Sequence, residues 1–134
     1  MPKEYINPGS LFPSVQHGFS QIVAATGAKM VYISGQTAWD SNRQLVGGAD
    51  LAQQARQALQ NVRTAVEAAG GALSDIVALR IYIVNYRSEQ ANAISDALRE
   101  FFPEDSRPTS TWIGVAALAV SEFLIEIEAT AVLE

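Results

Sequence analysis

The sequence predicts a single α+β domain, spanning residues 1–134, in which two helices cover one face of a mixed β-sheet. Hydrophobic residues make up 49% of the chain and charged residues 17%, so it can bury one core, and its length leaves little room for a second. Strand-like and helix-like patterns alternate in the order ββαβαββ. Helical connections favour parallel pairing and short connections favour antiparallel pairing, so we expect both kinds in one sheet.

The sequence of the N-terminal part of the chain predicts an irregular arm followed by a β-hairpin. Residues 1–17 contain three prolines and a glycine, a composition typical of irregular surface segments. Two strand-like runs follow at residues 19–25 and 30–36, separated by a short connection that contains a glycine. We therefore expect these two strands to pair with each other.

Two segments have the apolar spacing of amphipathic helices. The first follows Asp50, a favourable N-cap with Gln53 three residues later, and ends at Gly70. The second covers residues 88–102 and is followed by a proline. The apolar stripes contain Leu51, Ala55, Ala58, Leu59, Val62, Val66 and Ala69 in the first helix and Ala91, Ile94, Leu98, Phe101 and Phe102 in the second.

Three further strands are predicted, at residues 76–84, 109–115 and 123–133, and the last two are joined by a short turn and expected to pair as a second hairpin. Odd positions of the last strand are apolar and suit packing against the helices. Its even positions, which include Glu126, mix apolar and acidic residues, and we expect Ser110 and Trp112 on the same side. Such a face is too apolar to lie open to water, so self-association is expected to cover it.

Composition excludes several classes of function. The chain has no cysteine and one histidine, His17, so neither a metal site nor a mechanism based on two histidines is expected, and no cofactor is implied. The net charge of −5 makes nucleic acid a poor partner. No apolar run approaches the length of a membrane span and no secretion signal is recognised, so we expect a cytoplasmic protein without a membrane partner.

Four motifs in order along the chain resemble those of the reactive-intermediate deaminase (Rid; YjgF/YER057c/UK114) family. They are VYISGQ at 31–36, QQARQALQNV at 53–62, EAAGGALSDIV at 67–77 and IEIEA at 125–129. The resemblance implies a chorismate-mutase-like fold and a homotrimer with small-molecule clefts between subunits. In the deaminase branch, water replaces the nitrogen of an enamine or imine derived from an amino acid, releasing ammonia and a 2-keto acid. An arginine holds the substrate carboxylate, and a glutamate positions the water.

Carried over by motif, the family's catalytic glutamate falls on Glu126. Its ligand-contact positions fall on Phe19, Gly35, Ser95, Ser110 and Trp112. Ser110 stands where the family has its arginine, and a lost charge-assisted pair costs about 10-fold to over 100-fold in affinity. Arg107 has the opposite parity on an extended strand and is not expected to replace it. We therefore expect a small uncharged or differently charged metabolite, and not a standard 2-imino acid.

Each candidate residue also has a structural interpretation. Glu126 is equally compatible with a carboxylate paired at a subunit interface, and Trp112 with a packing anchor. Glu128 and His17 are expected to be structural and rim residues, respectively. Three functions stay open: an imine or enamine deaminase centred on Glu126, a non-catalytic binding or stress-protective module, and, least favoured by charge, an endoribonuclease.

Overall fold

A computed structural model describes residues 3–134 of the chain. Two helices and six strands follow one another along the sequence. They are β1 (Lys3–Ile6), β2 (Ile22–Ala25), β3 (Lys29–Gln36), α1 (Leu51–Ala68), β4 (Ile76–Val84), α2 (Ala91–Phe101), β5 (Thr109–Val115) and β6 (Ile125–Leu133). No helix in this part of the chain is long and apolar enough to cross a bilayer.

The main sheet has the strand order β3-β6-β4-β5. β6 pairs antiparallel with both β3 and β4, whereas β4 and β5 are parallel because α2 connects them as a crossover. Both helices pack against buried side chains of the central strands β4 and β6. The predicted α+β domain, with two helices on a mixed sheet, is confirmed.

Both predicted hairpins are wrong. β2 pairs with β1 in a separate two-stranded sheet and not with β3, so the N-terminal arm is not irregular throughout. Its first two residues lie outside the described part of the chain. β4 lies between β5 and β6, so those strands do not pair either. A short connection favours local pairing, but here more distant partners cover the same strand edges.

The helix ends follow from their capping residues. The Asp50 side chain accepts a hydrogen bond from the backbone N–H of Gln53 at 3.2 Å and so begins α1. After α1, Gly70 adopts a φ of 94°, and the next N–H, of Gly71, donates to the carbonyl of Val66 at 2.9 Å. This is a Schellman motif, which requires the left-handed conformation that glycine adopts without strain. The predicted N-cap and glycine stop of α1 are confirmed.

Candidate functional site

The predicted site residues lie on opposite faces of the main sheet. Glu126 is paired in register with Tyr82, on the face that carries no helix. Ser110 is paired with Leu79, whose side chain is buried under the helices, and Trp112 lies on the same side two residues later. The expectation that Ser110 and Trp112 share the side of Glu126 is therefore wrong. Parity along one strand does not fix a face until its register with a neighbouring strand is known.

Gly35 and Glu126 lie directly against each other on the helix-free face. A β-bulge places one extra residue in β3 between Ile33 and Gln36, which face Ala129 and Ile127 of β6. A Cβ added at Gly35 would lie 2.6 Å from the carboxyl carbon of Glu126, closer than real contacts allow. Glycine at this position thus makes room for the carboxylate beside the backbone of β3.

The two glutamates of β6 have different surroundings. The Tyr82 hydroxyl donates a hydrogen bond of 2.5 Å to Oε1 of Glu128, and this bond is the main cause that raises the pKa of Tyr82 above its usual value. Within residues 3–134, no group forms a hydrogen bond or an ion pair with the side-chain carboxylate of Glu126. Glu128 is therefore held by a structural contact, while the carboxylate of Glu126 is available to a ligand or a water molecule.

Glu126 lines a depression of about 600 Å³ between the edge of the sheet and α1. Asn61 of α1 donates to the carbonyls of Thr37 and Trp39, each at 2.8 Å, and so fixes the loop that forms one wall. The Trp39 ring packs edge-on against Phe123, with ring centroids 4.9 Å apart. Sequence reasoning placed Asn61 in a family motif but assigned it no role, because its partners are backbone atoms that only the fold brings close.

Four predicted ligand-contact residues come together in a second cavity of about 310 Å³. The cavity lies at the edge of the sheet, beside the first turns of α2. Its lining residues are Phe12, His17, Phe19, Ala91, Asn92, Ser95, Ser110 and Trp112. None of them lines the depression around Glu126. Phe12 was missed, and its only signal in the sequence is an aromatic residue between prolines of the arm.

Ser110 and Trp112 are joined by a hydrogen bond within this cavity. The indole N–H of Trp112 donates to Oγ of Ser110 at 2.6 Å. The same ring lies 6.5 Å from Phe19 and 6.3 Å from Tyr86, centroid to centroid, and packs on the hydrophobic core. Trp112 is thus a packing residue whose ring also forms part of the cavity wall.

The arginines near this cavity are bound to backbone carbonyls. Arg107 is buried and donates to the carbonyls of Val15, at 2.6 Å, and Phe102, at 3.1 Å. Arg99 donates to the carbonyl of Gln16 at 2.6 Å. Both guanidinium groups therefore hold the turn that carries His17, and neither lines the cavity. The positions of Arg99 and Arg107 agree with the expectation that Arg107 does not take the place of the family's arginine, which stays a prediction.

Comparison with known proteins places this geometry in a family. A family profile described as Endoribonuclease L-PSP matches residues 11–133. The chain is 32% identical over 133 residues to a 2-iminobutanoate/2-iminopropanoate deaminase of Dermatophagoides farinae, covering 99% of this chain and 98% of that one. It is 33% identical over 132 residues to the 3-aminoacrylate deaminase RutC of Acinetobacter baylyi, covering 98% of each.

Solved structures agree with this assignment. YyfB of Yersinia pestis, described as a protein of unknown function of the conserved Rid family, superimposes with a TM-score of 0.95. The two sequences are 41% identical, and the match covers 99% of this chain and 100% of YyfB. Since the family profile and these full-length relatives agree, this chain belongs to the Rid family, also called the YjgF/YER057c/UK114 or endoribonuclease L-PSP family.

Proposed function

We propose that this protein is a homotrimer in which the depression around Glu126 on one subunit and the cavity around Ser110 on the next form a single cleft for a small metabolite. The supporting observation is the separation of the site residues within one chain. Glu126 and Gly35 lie on the helix-free face, Ser110 and Trp112 lie on the helix side, and the two cavities share no lining residue. A second copy of the chain is the simplest way to bring the two groups together.

The helix-free face has the composition of a protein interface. Tyr32 and Met30 of β3 are 75% and 56% exposed, next to Thr130 and Val132 of β6. Large apolar side chains that lie together on a surface indicate a contact with another protein chain. Burying this face between copies of the chain would also partly enclose Glu126, which strengthens any hydrogen bond that its carboxylate makes.

The reaction that this site supports best is hydrolysis of an imine, R₂C=NH + H₂O → R₂C=O + NH₃. The carboxylate of Glu126 accepts a proton from water while the water oxygen attacks the imine carbon. The proton then reaches the nitrogen, the C–N bond breaks, and ammonia leaves as the carbonyl forms. The observation that carries this proposal is the carboxylate of Glu126, which has no partner among residues 3–134 and lies beside the backbone of Gly35. Two relatives of similar length are named as deaminases.

The cavity around Ser110 makes 2-imino acids poor substrates in this proposal. Neither lysine nor arginine lines the cavity, so a substrate carboxylate would lose hydration there without gaining the bidentate partner that a guanidinium provides. The same observation supports the second candidate, a module that binds a small metabolite without converting it. The two candidates differ in whether the protein releases ammonia from an imine and, if it does, whether that release depends on Glu126.

Ammonia release measured on the purified trimer decides between these candidates. The substrates are 2-iminobutyrate and N-unsubstituted imines without a carboxylate, generated in the assay from primary amines by an amine oxidase. Glu126→Gln should lower kcat/KM by about 100-fold or more, the usual effect of removing a general base. The matched control is Glu128→Gln, which keeps an acceptor for the Tyr82 hydroxyl and should retain activity. Equal turnover by both variants would refute the role of Glu126, and no turnover of any imine would favour the binding module.

Cleavage of RNA is the third candidate and is the least supported. The chain carries a net charge of −5, which repels a phosphate backbone. His17, its one histidine, is exposed beside the cavity around Ser110 and not beside Glu126. RNA cleavage that persists through purification and disappears with Glu126→Gln or Ser110→Ala would contradict this ranking.

A further inference from the structure

We infer that the cavity around Ser110 selects an uncharged planar ligand that carries a hydrogen-bond acceptor, such as an aromatic amide or ketone, over the corresponding carboxylate. The inference rests on the proposed function, since it takes this cavity as the ligand-binding half of the cleft. It deepens that function by naming the class of ligand. Three independent features of the wall carry it: its aromatic rings, its hydrogen-bond donors and its lack of a guanidinium or ammonium group.

The aromatic rings form one continuous part of the wall. Phe12 and Phe19 meet edge to face, with ring centroids 6.0 Å apart and an interplanar angle of 67°. Phe19 lies 6.5 Å from Trp112 at 56°. A cavity of about 310 Å³ bounded by three rings can hold a single aromatic ring in the edge-to-face or offset geometry that such side chains prefer.

Besides the side chains of Asn92 and His17, the wall offers two hydroxyl groups as hydrogen-bond donors. The bond from Trp112 to Oγ of Ser110 uses the indole N–H and one lone pair of Ser110, and it fixes the orientation of the indole ring. No acceptor among residues 3–134 engages the hydroxyl hydrogen of Ser110. The hydroxyl of Ser95 is likewise without a hydrogen-bond partner in that part of the chain. Two O–H donors next to apolar rings suit a ligand carbonyl oxygen.

The charges around the cavity determine whether it binds an amide ligand or the corresponding carboxylate more tightly. The neighbouring guanidinium groups of Arg99 and Arg107 are committed to the carbonyls of Gln16, Val15 and Phe102. His17 is the one ionisable side chain in the wall. Burying an unpaired carboxylate costs far more than burying a hydrogen-bonded amide. The wall therefore favours the uncharged member of an otherwise identical pair of ligands.

Benzamide and benzoate form such a pair, and their binding to the purified trimer can be compared by calorimetry or ligand-observed NMR. Benzamide should bind at least about tenfold more tightly than benzoate. Ser110→Arg should reverse this order, because a guanidinium binds a carboxylate with two charge-assisted hydrogen bonds. Ser121→Arg adds the same charge at an exposed position before β6 and should leave the order unchanged.

Two milder variants keep the test decisive if Ser110→Arg does not fold. Ser110→Ala removes one hydroxyl and should weaken benzamide about two- to tenfold. Phe12→Ala removes a ring that is 58% exposed, so the core stays intact, and benzamide should weaken by a similar factor. Benzamide binding that none of these variants alters would place the ligand elsewhere and overturn the inference.

Other outcomes also contradict the inference. The inference is wrong if benzoate binds as tightly as benzamide. It is also wrong if benzoate binds and His17→Ala abolishes that binding, because the anion would then lie against the imidazole. Absence of binding by both probes would show that the cavity does not select this class. Different results would contradict the proposed function, namely a monomeric protein or full ammonia release by Glu126→Gln. Either result can be obtained while benzamide still binds more tightly than benzoate.

Discussion

Gly35 and Glu126 each determine what the other position can hold. A Cβ at Gly35 would overlap the carboxylate of Glu126, so Gly35→Ala must displace either the carboxylate or the backbone of β3. The close atoms end a flexible side chain that can turn aside, so we expect a loss of about 0.5–1.5 kcal/mol in the free energy of unfolding, measured in urea, which is the cost of leaving a preferred rotamer. If the chain is a deaminase, turnover should fall as well, because the carboxylate moves.

A double-mutant cycle separates this overlap from a general effect of alanine. In the Glu126→Ala background, the clashing carboxyl atoms are absent, so Gly35→Ala should cost much less there. Gly9→Ala serves as the matched control, because a Cβ at Gly9 meets nothing within 4 Å, and it should change stability by less than about 0.5 kcal/mol. Equal costs of Gly35→Ala in both backgrounds would show that the overlap does not govern this position.

Single residues of the site differ in how well the sequence predicts them. The side of the sheet on which Glu126 lies follows from the alternation along β6, because its odd neighbours are apolar and buried. The side of the sheet on which Ser110 and Trp112 lie cannot be predicted from the alternation along β5, because this edge strand has apolar residues on both sides. Its face is set by pairing with Leu79 of β4, about thirty residues earlier in the chain.

Gln54 connects three segments of the chain and is fully buried. Its amide donates to the carbonyl of Gly48 at 2.6 Å and to that of Glu122 at 3.0 Å, and its oxygen accepts from the N–H of Leu124 at 2.9 Å. It thereby ties the start of α1 to the chain that enters β6, two residues before Glu126. The stripe predicted for α1 omitted Gln54, because a polar residue in a buried position is explained only by partners distant in sequence.

Replacing Gln54 should therefore destabilise the domain as a whole. Gln54→Leu has similar volume but leaves two carbonyls and one N–H without partners, so we expect a loss of about 3 kcal/mol or more. Gln53→Leu, on the exposed side of the same helix, should cost less than about 1 kcal/mol. Urea denaturation of both variants measures the difference, and similar midpoints for the two would contradict the role assigned to Gln54.

The strands were predicted more accurately than their partners. The bounds of β4 and β5 match the expected ranges, because runs of β-branched and apolar residues between turn signals are local features. The pairing of β2 with β1, and the insertion of β4 between β5 and β6, depend on contacts between distant segments. A turn of hairpin length favours a hairpin only when no other strand offers a better-matched edge.

At the scale of the whole molecule, the two faces of the sheet perform different tasks. The helix side buries the core, and the cavity around Ser110 opens beside it at the edge of the sheet. The opposite side carries Glu126 and, further along β3, the exposed side chains of Met30 and Tyr32. Because the sheet separates these groups, no rotamer change within one chain unites them. The proposed cleft therefore requires assembly, and assembly can be tested without knowing the ligand.

Tyr32 is the residue with which to test assembly, because its ring is 75% exposed on the helix-free face. Tyr32→Asp should lower the mass of the particle from trimer to monomer at low micromolar concentration, since an unpaired carboxylate is costly at a buried interface. Ala52→Asp adds the same charge in the first turn of α1 and should leave the trimer intact. Light scattering after size exclusion measures both masses. A Tyr32→Asp protein that keeps the wild-type mass would show that this face lies outside the subunit contacts, and the cleft would then need another origin.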